Sequence, residues 1–152
     1  MSTVRFSVIP ASYVYLMRDR RVLLQRRHNT GYMDGMWAAG AAGHVELGET
    51  AASAARREVR EELGIDVPLT SLCAVTVMQR TDGTPSPTEQ RADWFFTATG
   101  WQGEPVIMEP HKCAEISWFD LNRLPASIPD YERLVLDGLA AGSLERVTSF
   151  GF

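Results

Sequence analysis

The chain has little cysteine, no excess of positive charge and no long apolar run, and each shortage removes a class of function. Its two cysteines, Cys73 and Cys113, stand far apart and form no CxxC pair. That argues against a structural zinc site or a disulfide framework and reads as two semi-buried thiols in a reducing compartment. The formal net charge is −4 over 152 residues. A protein that coats nucleic acid needs a basic patch to displace counterions, so no long nucleic acid is expected as a partner. A small phosphorylated ligand stays compatible, because a metal ion can supply positive charge locally. No apolar run approaches the roughly 18–20 residues of a membrane span. The N-terminus has no basic segment followed by an apolar stretch, so no secretory signal and no membrane contact are expected, and the location is expected to be cytoplasmic. There is no repeat and no low-complexity tract. The length suits one domain over residues 1–152 with a real hydrophobic core.

Local patterns outline a mixed α/β chain. Ser12–Met17 and Arg21–Gln25 flank the charged turn Arg18–Arg20 and read as a hairpin. His28–Gly35 is rich in turn residues, and Trp37–Val45 is small and apolar, fitting a short strand or a tight backbone passage. Thr50–Leu63 reads as a helix, with Thr50 as its cap and Gly64 in the left-handed position past its end. Ala52, Ala55, Val59 and Leu63 fall within an arc of roughly 80°, a narrow stripe that lets the helix sit close to a sheet. Leu72–Met78, Trp94–Thr99 and Glu115–Phe119 read as strands, with Thr81–Glu89 a loop and Asp120–Leu124 a turn. Asp130–Ala141 reads as a second helix with Leu134, Val135, Leu136 and Leu139 as its buried side. The sum is an α/β fold, helices packed on a central mixed sheet.

The first helix carries an anomaly. Glu58, Glu61 and Glu62 project within about 100° of one another. A charge run is usually a solvated face. Here, however, like charges at this spacing cost roughly 0.2–0.5 kcal/mol per pair. Glu61 and Glu62 also lie in the last turn, where the helix dipole disfavours anions by about 0.3–1 kcal/mol. A divalent cation would remove both penalties, and carboxylate oxygens are the hard ligands that Mg²⁺ takes beside phosphates and water.

The spacing around these glutamates is more specific still. Residues Gly43–Ile65 resemble the Nudix box, G-x5-E-x7-R-E-U-x-E-E-x-G-U, where U is a bulky aliphatic. The seven fixed identities are Gly43, Glu49, Arg57, Glu58, Glu61, Glu62 and Gly64, with Val59 and Ile65 as the aliphatics. At ordinary residue usage, that coincidence arises about once in 10⁶ sequences of this length. The stretches Arg26–Trp37 and Glu109–Leu124 are similar to the MutT-like nucleotide pyrophosphohydrolase branch. The resemblance implies a Nudix-type α/β/α sandwich and hydrolysis of a pyrophosphate linkage in a nucleoside triphosphate or other nucleoside diphosphate derivative. It also implies Mg²⁺ as cofactor, with Mn²⁺ as substitute.

Carried onto this sequence, the resemblance makes Glu58 and Glu62 the principal metal ligands. Glu61 becomes a further ligand or acts on the attacking water. Arg57 holds Glu49 and fixes the acidic helix, the carbonyl of Ala42 faces the metal, and Gly43 permits close approach. Glu109 either brings one more carboxylate or is a surface loop residue. Arg27 and Lys112 either meet phosphate or are ordinary exposed cations. Asp130 either contacts a base or caps the second helix. His44 sits at a variable box position, while His28 and His111 read as surface residues. Trp37 and Trp94 read as core residues more readily than as base-stacking ones. One departure concerns the run into the box. Gly40-Ala41-Ala42 replaces the family's usual Pro-Gly-Gly, with Trp37 one residue further away, which leaves the base pocket and the substrate open. ADP-ribose, nucleotide sugars and isoprenoid diphosphates are alternative substrates, although the positioned Cys and Glu of isopentenyl-diphosphate isomerase are not evident. A silent nucleotide-binding sensor is a second class of reading, but it usually loses box carboxylates that this chain keeps. Monomers and homodimers both fit the family.

Overall fold

The structure, a computed structural model, describes residues 3–152. It is organised around β1 (Ile9–Arg18), whose alternating side chains feed two separate cores. Tyr13 and Tyr15 point to one face with Phe95, while Val14 and Leu16 point to the other with Phe96. Period-two alternation in a strand buried on both faces produces this division.

β1 runs parallel to β6 (Arg91–Ala98) from Ile9 to Leu16. Its other edge is shared. Ala11–Val14 pair antiparallel with β4 (Ala41–His44), and Met17 and Arg18 turn back onto β2 (Arg21–Arg27). β2 lies between β3 (Trp37–Ala39) and β7 (Cys113–Asp120). Beyond β6, β5 (Leu72–Arg80) pairs antiparallel, and β8 (Val147–Phe150) closes the edge in parallel with β5. The eight strands form one mixed sheet. The expected strands are present and longer than the sequence patterns suggested. β8 was not expected; its four residues carry no run of apolar alternation, and parallel pairing to a distant strand leaves no local mark.

The first helix, α1 (Ala51–Leu63), starts at a capping box between Thr50 and Ser53 and ends at Gly64 with φ 68°. Its buried residues are Ala54, Ala55, Val59 and Leu63. Ala54 therefore takes the place expected for Ala52, which lies at the rim of the same core. The second helix, α2 (Asp130–Ala141), packs on the opposite face through Tyr131, Val135 and Leu136. Leu134 is exposed rather than buried, and Leu139 sits at the core's edge. A helix buries one stripe, and Tyr131–Val135 and Glu132–Leu136 define it here. With a helix layer on each face of the sheet, the architecture is an α/β/α sandwich. Among the described residues no helix is long and apolar enough to cross a membrane. Cys113 is buried, Cys73 is exposed, and neither forms a disulfide. Trp37 packs edge-on against Phe119 with ring centroids 4.8 Å apart, and Trp94 joins the core beneath α1.

Candidate functional site

The small residues between β3 and β4 let the chain pass close to the end of α1. Gly43 has no room for a side chain, since a Cβ there would overlap the carboxylate of Glu58. This is the close approach that a glycine permits. Next to it, the Ala42 amide donates to Glu62 Oε2 at 2.7 Å, and the Gln25 side-chain amide donates to Glu62 Oε1 at 3.4 Å. Glu62 is thereby drawn inward rather than left on a solvated face. Burial pushes its carboxyl up to about 8, against the lowering effect of the hydrogen bond from the Ala42 amide. Burial likewise pushes Glu58 up, against the lowering effect of Arg57.

Arg57 organises the rest. Its Nε and Nη2 bind both oxygens of Glu49 at 2.7 and 2.9 Å, a fork-on-fork pairing. Its Nη1 donates to Glu58 Oε1 at 2.7 Å and to Glu61 Oε2 at 3.3 Å, and Nη2 also reaches the His44 carbonyl at 3.0 Å. The Glu49 carboxylate accepts from the Glu46 amide as well, at 2.9 Å. These bonds, led by those from Arg57, hold Glu49 down at about 2. The expected Arg57–Glu49 brace is therefore present, and the same guanidinium also aims Glu58.

Glu109 arrives from a different part of the chain. The loop after β6 docks on the exposed carbonyls that end α1. The Val106 amide donates to the Leu63 carbonyl at 3.0 Å and the Met108 amide to the Glu62 carbonyl at 3.2 Å. Helix ends leave such acceptors unsatisfied, so this docking serves the helix and fixes the loop together. Glu109 then lines the cleft beside Lys112, to which it is paired at 3.5 Å.

The resulting cleft has a volume of about 750 Å³ and gathers Arg27, Ala42, Gly43, His44, Glu46, Arg57, Glu58, Glu61, Glu62, Glu109 and Lys112. Five carboxylates thus face three obligate cations. Arg27 is largely committed to the loop ahead of β3, donating to the Tyr32 carbonyl at 2.7 Å and to Thr30 Oγ1 at 3.1 Å. Asp130 is not among the cleft residues; it is exposed in the first turn of α2, where Pro129 occupies the cap position. Gly64 ends the helix as anticipated and does not line the cleft.

The donor set suits a hard divalent cation. Glu58 and Glu62 are carboxyls held out of water, Glu61 and Glu109 open onto the same space, and the local negative charge exceeds the positive. Among the described residues, no group of three or more His, Cys, Asp or Glu side chains is arranged to hold a metal ion by itself. A Mg²⁺ ion would need water and substrate phosphate to complete its shell beside one or two of these carboxylates.

A second, smaller cavity of about 160 Å³ opens off the cleft, and Arg27, Ala42, Gly43 and His44 line both. Its wall includes Tyr13, Tyr32, Tyr131 and Arg91, and its floor includes Glu132. Glu132 is 1% exposed, and its Oε1 accepts from the Tyr15 hydroxyl at 2.8 Å and from the Ala39 amide at 2.7 Å. Burial pushes this carboxyl up to about 7. Beneath the tyrosines lies a buried ion pair, Arg80 Nε to Asp93 Oδ2 at 2.7 Å, with the Arg80 guanidinium 3.8 Å from the Tyr131 ring centroid. Arg91 Nε and Asp93 Oδ1 are buried without a partner. Sequence reasoning missed Glu132, Arg80, Arg91 and Asp93. The one available signal was a charged residue at an inward position of a strand or helix stripe, and that position is known only once the partner layer is placed.

Comparison with known proteins agrees with this geometry. The family described as NUDIX domain matches residues 8–137. Isopentenyl-diphosphate Delta-isomerase of Cereibacter sphaeroides is 34% identical over 119 residues, covering 78% of this chain and 67% of that protein. NAD-capped RNA hydrolase NudC of Escherichia coli is 33% identical over 138 residues, covering 88% of this chain and 48% of that protein, about half its length. Among solved structures, a MutT NUDIX hydrolase from Burkholderia pseudomallei superposes with a TM-score of 0.77 at 27% identity, covering 86% of this chain and 97% of that one. With the complete box, the sandwich and the acidic cleft in agreement, the chain belongs to the NUDIX domain family and is a Nudix hydrolase.

Proposed function

We propose that the protein is a Mg²⁺-dependent hydrolase that adds water across a pyrophosphate linkage of a nucleoside triphosphate or another nucleoside diphosphate derivative. The products are a nucleoside monophosphate and the remaining phosphate-bearing fragment. The observation that carries this reading is one cleft in which five carboxylates outnumber three cations, with two of the carboxyls pushed up by burial. A bound Mg²⁺, or Mn²⁺ in its place, would neutralise phosphate charge and lower the pKa of a water molecule. Glu58 and Glu62 would hold it, with the Ala42 carbonyl and Glu61 at its margin. Glu61, the most exposed of the three helix glutamates, would accept the proton of the attacking water. Arg57 and Glu49 are positioning residues, Lys112 and Arg27 offer positive charge to the phosphate chain, and Glu109 adds a carboxylate from the facing loop. Unpaired thiols fit a reducing, cytoplasmic location.

The identity to isopentenyl-diphosphate isomerases favours a second reading, an isomerase acting on an isoprenoid diphosphate. Two features weigh against it. Neither cysteine lines the cleft or its side cavity among the described residues. An apolar tail in that cavity would also cover Oε2 of Glu132, which has no protein donor among the described residues, at the cost of its contact with water.

The test is a panel of nucleoside triphosphates, ADP-ribose, nucleotide sugars and isopentenyl diphosphate, assayed with Mg²⁺, with Mn²⁺ and with EDTA. Metal-dependent cleavage of a nucleotide substrate is expected, falling roughly 100-fold or more in Glu62→Gln. Absence of any cleavage, indifference to EDTA, or an unchanged Glu62→Gln enzyme would each overturn the proposal.

A further inference from the structure

We infer that the side cavity is a base-selective subsite, in which Glu132 accepts a hydrogen bond from an exocyclic amino group, so that the enzyme prefers nucleotides with amino-bearing bases. The inference rests on the nucleotide reading given above and adds the selecting residue and the class of base.

Three observations carry it. The first is position: four residues line both the metal cleft and the side cavity, so a diphosphate in one places the attached group in the other. The second is size and wall chemistry. A cavity of about 160 Å³ is far larger than one water needs and is comparable with cavities that admit an aromatic ring. Ala38 and Ala39 keep it open, and Tyr13, Tyr131 and Tyr32 offer ring faces for stacking. The third is an unfilled acceptor. Both protein hydrogen bonds to Glu132 fall on Oε1, and Oε2 has no partner among the described residues, although the side chain is buried and lines the cavity.

Among the described residues, the side-chain atoms sealed from solvent without a partner are Arg91 Nε and Asp93 Oδ1, not Glu132 Oε2, so Oε2 opens on the cavity, where a ligand's donor can meet it. An ionised carboxylate accepts only. An amino group beside a ring nitrogen satisfies it. The edge of uracil instead flanks its one N–H with two carbonyl oxygens, which repel the carboxylate. A ribose fits less well, because its several hydroxyls would each lose water on entering a cavity walled by three tyrosine rings.

The experiment compares matched pairs that differ by amino against oxo, CTP with UTP and ATP with ITP, at pH 8 with Mg²⁺. In whichever pair is turned over faster, the amino member should lead by at least about tenfold in kcat/KM. Glu132→Gln retains an oxygen for Tyr15 and Ala39 and presents an amide N–H to the cavity. It should cut that ratio at least about fivefold through loss of the amino member, with a thermal melt confirming the fold. A ratio within about twofold in the wild type, or one unchanged in Glu132→Gln, overturns the inference and leaves hydrolysis intact. If no nucleotide is cleaved, the hydrolase reading fails separately, and calorimetric binding of CMP against UMP and AMP against IMP decides this one. Tighter binding of the amino member that is lost in Glu132→Gln supports the inference; equal binding, or none, overturns it.

Discussion

Replacing Gly43 with alanine tests whether the glycine serves the position of Glu58 or merely the fold. Gly43 does not have a positive φ, so alanine brings no backbone strain there. Its Cβ would overlap the Glu58 carboxylate, with even the farther oxygen, Oε2, only 2.8 Å away. The backbone of β4 is held by its ladder to β1, so the carboxylate must yield. To reach an ordinary contact distance its nearer oxygen has to move by more than about 1 Å. That movement breaks the 2.7 Å bond from Arg57 Nη1. A misplacement of about 1 Å in a reacting constellation costs roughly 100-fold, equivalent to about 2.7 kcal/mol of barrier. Global stability should change by no more than about 1 kcal/mol, since glycine-to-alanine also lowers the entropy of the unfolded chain. The assay pairs steady-state kinetics over a range of Mg²⁺ concentrations with thermal denaturation. A roughly 100-fold loss in kcat/KM and a higher Mg²⁺ concentration for half-maximal activity are expected in a protein that melts near the wild-type temperature. Activity within about threefold of wild type would refute the placement of Glu58 at the reacting centre. A loss matched by unfolding would refute the claim that only the side chain moves.

Two further predictions follow from charges the fold has displaced. Burial raises Glu132 from 4.5 to about 7. The folded state therefore keeps a proton that the unfolded chain has already lost, so stability should fall as pH rises from 4.5 to 7 and level off above that. Integrated over the window, the loss attributable to this group is about 3 kcal/mol. Glu132→Gln should lack that slope, so the difference between the wild-type and variant pH-stability curves, measured by urea denaturation, should itself fall between pH 4.5 and 7; parallel curves would show that Glu132 does not titrate there. Arg57→Lys keeps the charge but cannot reproduce the fork on Glu49 together with the bond to Glu58. It should lower kcat/KM by roughly 10–100-fold, and full activity in this variant would show that charge alone suffices.

The sequence determined what depends on local spacing. Thr50, Ser53 and Gly64 set the limits of α1, and the i, i+3, i+4 spacing of Glu58, Glu61 and Glu62 put three carboxylates on adjacent sides of it. Those facts need no partner, because helix geometry follows from residues within two turns of each other. The box also named Arg57 and Glu49 correctly as a pair. What it could not decide was depth: only the strand pairing of Ala41–His44 against β1 turns Glu62 inward while leaving Glu61 exposed. The side cavity was further beyond reach. Glu132 meets Tyr15 across 117 residues and Ala39 across 93, so its burial depends on three layers closing together. Asp130, two residues earlier, was the candidate the sequence offered for a base contact, and it faces solvent. Two steps around a helix reverse outside and inside, and only the sheet beneath it says which is which. The chemistry of the bond was therefore written in α1, and the surroundings of the ligand were decided by packing.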